Sequence, residues 1–287
     1  MSNVLRVLFW NINKNSLLDE VRNLVEIHNI NLLVIIEYGE HEELILKNLQ
    51  SYNTDFRLIQ NIIFNKAKIF TTLNNIEINE IYGHSRYGIY SLNIENFENL
   101  LMGIVHFPSK VNWGNSEDHS GLCTSLREDV ELKEFEVEHQ RTFVLGDFNM
   151  NPFENGLISA NGLNNTNSKE IAYLGQRDIL NKPFKYFYNP MWNFFGEFSK
   201  GNTCGTHYFD TYKYINLHWN IYDQVIIRPD LLDDFHESHL EILTEIDGKS
   251  LLKNVNSTTR INKKISDHLP IKFNLNLQQN SNGKSLE

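Results

Sequence analysis

Asp147 and Asn149 stand two residues apart in TFVLGDFNMNP (142–152), where an apolar run stops just short of a proline. A carboxylate accepts a proton or holds a cation, and a carboxamide donates N–H groups, so the pair brings both abilities to the end of a buried strand. The pattern recurs. FWN ends in Asn11, LLVIIE in Glu37 and LMGIVH in His106, IYDQVII carries Asp223 at its start, and SDHLPI sets Asp267 and His268 before the last apolar run. Where strands end at one rim, such side chains converge from distant sequence positions. Taken singly, each has a plainer role: Glu37 and Asp147 as turn or cap residues, His106 and His268 as hydrogen-bonded structural histidines, Asn11 as a turn former, Asp223 as a buried acceptor. Their joint occurrence favours a site.

The elements that must position them are legible from periodicity. VLRVLFW (4–10) reads as a strand, residues 16–30 as an amphipathic helix with Ser16 as N-cap, and NLLVIIE (31–37) as a fully buried strand, a β-α-β opening. Strands are expected near 56–60, 67–72, 86–93 and 99–106 at hairpin-like spacing, so the parallel start gives way to antiparallel pairing. A helix over 122–139, with Leu122, Leu126, Val130 and Val137 on one face, feeds the strand TFVLG. The Asn-rich NGLNNTNSKE (161–170) reads as loop, and 221–227 and 269–277 as closing strands.

With 287 residues, 41% hydrophobic and 22% charged, the composition excludes a disordered or fibrous chain. No Pro/Gly/Ser linker divides it, so residues 1–278 are expected to form one domain, with 279–287 a disordered tail whose last two residues, Leu286 and Glu287, read as a cloning scar. No stretch approaches the roughly 20 apolar residues of a membrane span, and the N-terminus turns polar too soon for a signal peptide. A cytoplasmic protein without stable membrane association is the expectation. Cys123 and Cys204 lack CxxC spacing, which argues against a disulfide framework or a zinc site and leaves any metal to oxygen ligands.

FWNIN, VIIE, VHFPSK, GDFNMNP, YDQVII and SDHLPI, in this order over essentially the whole chain, resemble the endonuclease/exonuclease/phosphatase superfamily. The resemblance implies an α/β fold, a four-layer α/β/β/α sandwich of two mixed, mainly antiparallel sheets, and phosphate-ester hydrolysis with a divalent cation, Mg²⁺ or Mn²⁺. It implies Glu37 as the direct metal ligand, Asn11 adding a carbonyl oxygen and Asp267 a further carboxylate, in keeping with the preference of Mg²⁺ for hard oxygen donors. Asp147 matches the position that orients or deprotonates the attacking water. Asn149, on the same side of an extended chain, would donate to the phosphoryl oxygens in the transition state. His268 would sit beside the scissile phosphate with Asp223 fixing its tautomer, and His106 would be a second histidine at the phosphate. Two departures limit the transfer: Ile36 replaces the Gln that often precedes the metal-binding Glu, and Asn13 stands where some nucleases place Asp. No second metal site is assigned.

The substrate is less legible. The net charge is -10, yet Lys249, Lys253, Arg260, Lys263 and Lys264 gather upstream of SDH, where they would flank the site and Lys264 would contact phosphate, although a solvated loop is the commoner role of such a run; Arg86 and Arg177 are further candidates. Residues 182–198 hold eight aromatics, among them Trp192, which an exposed subset would use to stack on bases although core is the commoner fate. A nuclease acting on nucleic acid is the leading expectation. A phosphatase or phosphodiesterase on a small or lipid phosphate is the alternative, followed by a non-catalytic binder of the same fold.

Overall fold

The apolar run of β1 (Val4–Asn11) is buried almost throughout, because it lies at the centre of a sheet and packs on both faces. In the computed structural model, which describes residues 3–110, 116–197, 203–211 and 216–280, α1 (Leu18–Ile27) returns the chain to β2 (Leu32–Ile36), which pairs parallel to β1. There follow α2 (Glu42–Tyr52), β3 (Arg57–Ile59) and β4 (Ala67–Thr71), the last two closing one edge. The other side of β1 pairs antiparallel with Ile271–Asn276, completing a six-stranded mixed sheet.

The second sheet, of seven strands, runs through β5 (Ile76–Gly83), β6 (Tyr87–Ile94), β7 (Leu100–His106) and β8 (Thr142–Asp147) to the strand Asp223–Ile227. β7 and β8 are parallel because α3 (Ser116–Glu136) crosses between them; the remaining main pairs are antiparallel. Alternation sorts the side chains. Phe143, Leu145, Val225 and Ile227 enter the core shared with the first sheet, while Val144 and Ile226 face Cys123, Leu126 and Val130 of α3. Phe143 meets Phe273 of the first sheet edge to face, with centroids 5.9 Å apart. On the far side, Val21, Leu24, Val25, Ile45 and Leu49 of α1 and α2 are buried. The layers are α/β/β/α, as expected.

Several boundaries differ from the sequence reading. α1 begins at Leu18, after Leu17, and no side chain caps it, so Ser16 is not the N-cap. α3 starts at Ser116 and ends at Glu136, leaving Val137 beyond it. α2 and β5 escaped the periodicity reading because each buries only a sparse set of apolar positions. The Asn-rich segment contributes Asn165–Thr166 as an edge strand. Pairing runs past 278: Gln279 bridges Phe97, and Asn280 N–H donates to Asn96 O, so 279 and 280 belong with the fold, and the rest of the expected tail lies outside the described residues. Leu286 and Glu287 lie outside the described residues.

No described helix is long and apolar enough to cross a membrane.

Candidate active site

Register alone gathers the strand-end residues. Parallel pairing sets Asn11 of β1 opposite Ile36, one residue before Glu37, and sets His106 of β7 opposite Asp147 of β8. The antiparallel neighbour of β8 begins at Asp223, opposite Asp147. Trp10 Nε1 donates to His268 O at 3.0 Å and Ser266 Oγ to Asn11 O at 2.8 Å, which ties the SDH segment to the end of β1. Asn11, Glu37, His106, Asp147, Asn149, Asp223, Asp267 and His268 are thereby brought to one rim, where the two sheets meet.

Asp147 is the hub. It is 1% exposed, and its Oδ1 accepts the Asn149 N–H at 2.9 Å. Its Oδ2 accepts from Asn149 Nδ2 at 3.0 Å and from Asn11 Nδ2 at 3.3 Å across the sheets. Burial pushes its carboxyl up to about 6, against the pull of His268. Gly146, with φ of +142°, makes this placement possible: a Cβ there would lie 2.1 Å from Val105 O.

His268 is clamped between carboxylates. Its Nδ1 lies 2.7 Å from Asp223 Oδ2 and its Nε2 3.9 Å from Asp147 Oδ2. Burial pulls the ring down, but Asp223 and Asp147 outweigh it and push His268 up to about 10. Asp223 itself is fully buried, and Thr206 Oγ1 accepts its backbone N–H at 3.1 Å.

Glu37 carries a left-handed backbone, φ +49°, and its Oε1 meets His106 Nε2 at 3.1 Å. That hydrogen bond holds the carboxyl below the usual carboxylate range despite burial. Asn13 and Asn149 are also left-handed, at +47° and +50°, a conformation that Asn adopts more readily than most residues.

A cleft of about 330 Å³ opens here, lined by Asn13, Glu37, Ser109, Lys110, Asp147, Asn149, His207, Phe209, Tyr222, Lys263, Asp267 and His268. Asn11, His106 and Asp223 stand behind this lining and hold it. Three expectations change. His106, expected at the phosphate, is not among the lining residues and bonds Glu37 instead. Asn149 is not extended, and its amide hydrogens are already given to Phe107 O at 2.9 Å and to Asp147, so it orients the carboxylate. Asn11 turns its NH₂ toward Glu37 and Asp147, while its carbonyl oxygen accepts Asn13 N–H at 3.0 Å.

Among the expected substrate contacts, Lys264 is exposed and its neighbour Lys263 lines the cleft instead. Arg86 is half-buried, and its carbonyl accepts the His106 N–H at 2.9 Å. Arg177 is committed to Asn164 Oδ1 at 2.7 Å. Trp192 packs against Phe153, which also meets Phe195, forming a partly exposed aromatic group outside the cleft lining. Phe187, Tyr188, Tyr186 and Phe194 of the same segment are buried.

The sequence reading passed over Lys110, His207 and Tyr222. Lys110 sat inside the VHFPSK motif, where it pairs with Glu154 and lies over the Tyr222 ring. His207 lies in GNTCGTHYFD (201–210), a segment the sequence suggests as a wall of the site without marking this residue, and its bridge to His268 brings it to the cleft.

No protein-family model matches the sequence, and no curated protein does. Solved structures do. The endonuclease domain of TRAS1, a telomere-specific non-LTR retrotransposon, superposes with a TM-score of 0.55 at 14% identity, over 96% of this chain and 100% of that one. An endonuclease/exonuclease/phosphatase family protein from Bacteroides thetaiotaomicron gives 0.56 at 13% identity, over 96% and 98%. D. rerio TDP2, complexed with single-strand DNA product, gives 0.53 at 12%, over 96% and 100%. The chain has the endonuclease/exonuclease/phosphatase fold.

Proposed function

We propose that this protein is a divalent-metal-dependent phosphodiesterase and, more specifically, a nuclease. The observation that carries the reading is the His268 ring held between Asp223 and Asp147 at the floor of a cleft flanked by Lys110 and Lys263.

Phosphodiester hydrolysis needs an activated water, stabilisation of charge on the phosphoryl oxygens and help for the leaving oxygen. Asp147 accepts the proton of the attacking water, and Asn11 and Asn149 fix the direction its oxygens face. His268, kept protonated by its two carboxylates, donates to a phosphoryl oxygen through Nε2 while Asp223 holds Nδ1. His106 acts from behind, holding Glu37 ionised and aimed into the cleft.

The donor set fits a hard cation: Glu37 is ionised and a quarter exposed, and Asp267 lines the same cleft, so these two carboxylates would hold Mg²⁺ or Mn²⁺. When bound, that ion supplies Lewis-acid stabilisation of phosphoryl charge. Lys110 and Lys263 suit neighbouring phosphates of a polynucleotide, a substrate class that the DNA product named for the TDP2 complex also favours.

The test is a plasmid-nicking assay with Mg²⁺ or Mn²⁺, comparing wild type, His268→Ala and an EDTA control. Nicking lost on both mutation and chelation supports the nuclease. Failure to cut DNA or RNA, with hydrolysis of a phosphate monoester or an inositol or lipid phosphate by the same site, replaces it with the phosphatase reading.

A further inference from the structure

Phe153, Trp192 and Phe195 have no part in the chemistry above, yet the chain exposes them together and holds them in place. Phe153 and Phe195 are each 37% exposed, and their rings meet edge to face with centroids 5.5 Å apart; the Trp192 ring lies 6.2 Å from that of Phe153 at 58°. Local geometry turns them outward. In the 3-10 helix Pro190–Phe194 residues three apart eclipse, so Met191 and Phe194 share the buried face, and Trp192 and Phe195, the residue that ends the helix, share the opposite one. The helix is pinned: Asn189 Oδ1 accepts the Met191 N–H at 3.0 Å, and its Nδ2 donates to Gln224 Oε1 at 2.8 Å. Gln224 Nε2 in turn donates to Met150 O at 2.6 Å and to Ile221 O at 3.0 Å. Two fully buried amides, Asn189 and Gln224, thus join the aromatic turn to the loop that follows Asp147 and to the segment that carries Tyr222.

Phe153 is anchored as firmly and leads to the cleft. Its turn is closed by Glu154 N–H donating to Asn151 O at 2.9 Å and by Asn151 N–H donating to Glu154 Oε1 at 2.8 Å. Glu154 also holds the Lys110 ammonium, which lines the cleft and lies over the Tyr222 ring. From this continuity we infer that Phe153, Trp192 and Phe195 form a stacking shelf for an unpaired base of the polynucleotide whose phosphate Lys110 takes, so that the substrate is single-stranded or locally unpaired nucleic acid. The inference rests on the nuclease reading and narrows it. Every base has a π-face that an aromatic ring can take, whereas a duplex turns its bases inward and leaves the shelf unused. Rings already fixed by packing lose little freedom when a base lies on them.

Fluorescence anisotropy with a labelled single strand of about ten nucleotides, in EDTA so that none is cut, tests the shelf. Trp192→Leu is expected to weaken binding roughly tenfold with the slope of log K against log salt unchanged, because a stack releases no counterions. Trp192→Tyr keeps a ring and is expected to restore most of that loss. A blunt duplex of the same sequence is expected to bind wild type and Trp192→Leu alike. The inference is overturned if wild type binds no single strand, if Trp192→Leu binds it like wild type, if Trp192→Tyr is as weak as Trp192→Leu, or if the duplex loses as much as the single strand. A wild-type dimer in sedimentation velocity that Trp192→Leu dissociates would give the rings to a second copy of the chain and overturn it too. The plasmid-nicking assay decides the nuclease reading separately: metal-dependent nicking together with any of these contrary results removes the shelf alone.

Discussion

One imidazole, His268, spans two buried carboxylates, with Nδ1 at 2.7 Å from Asp223 and Nε2 at 3.9 Å from Asp147. The first contact is a hydrogen bond and the second is not, so Asp223 orients the ring while Asp147 stays available to water. Asp223→Asn keeps the shape but offers the ring an amide in place of an anion. Turnover is expected to fall on the order of 10²–10⁴-fold with a much smaller change in KM, measured by steady-state kinetics on the substrate found by the nicking assay. A raised KM with turnover unchanged would assign Asp223 to substrate binding instead.

The same clamp sets a stability profile in the absence of a bound cation. Both groups hold protons more tightly folded than unfolded: Asp147 is raised from 3.8 to about 6, and His268 from 6.5 to about 10. A raised folded value contributes stability that is complete below the unfolded value and lost as pH climbs through the folded one. The melting temperature in EDTA should therefore fall between pH 6.5 and 10 through His268. His268→Asn should be less stable at neutral pH, where it leaves two buried carboxylates uncompensated, and should show a flatter profile over that alkaline range. An unchanged alkaline slope in the variant would place the titration elsewhere.

Lys110 and Lys263 line the cleft, whereas Lys264 points into solvent. If the substrate is a polynucleotide, Lys110→Ala and Lys263→Ala should each weaken binding across sequences and reduce the slope of log K against log salt by about 1. Lys264→Ala should change neither. Fluorescence anisotropy with a single-stranded oligonucleotide over a salt series separates the three.

Away from the cleft, Arg228 is fully buried, bonded by Nε to Glu134 of α3 at 2.8 Å and by Nη1 to Tyr186 O at 3.1 Å, and lies over the Phe187 ring. Glu134→Ala would leave that buried guanidinium only Glu131, at 3.7 Å, as a counter-charge and is expected to cost about 3 kcal/mol in denaturant unfolding. The activity per folded molecule should be unchanged, because neither residue reaches the cleft.

Strand-end residues were legible because each interrupts an apolar run, and register then carries Asn11, Glu37, His106, Asp147 and Asp223 to one rim whatever the loops do. Asn149 was misread because spacing of two means one face only in an extended chain, and its left-handed φ breaks that rule. Glu134 carries no local sign of burial, because the burial depends on Arg228, 94 residues away in sequence. Lys110 enters the cleft from a loop and His207 from a two-residue strand, neither long enough for period or propensity to say which way a side chain faces. The Trp192 segment divided as its chemistry allows, four rings into the core and Trp192 with Phe195 at the surface.

The most direct test is single-turnover cleavage of an oligonucleotide in ¹⁸O-water with Mg²⁺, followed by mass spectrometry of the product. Water attack assisted by Asp147 and His268 predicts one ¹⁸O in the product phosphate from wild type, with the rate reduced on the order of 10²-fold or more in Asp147→Asn and in His268→Ala. Cleavage by both variants at the wild-type rate, or product without ¹⁸O in its phosphate, would contradict the account.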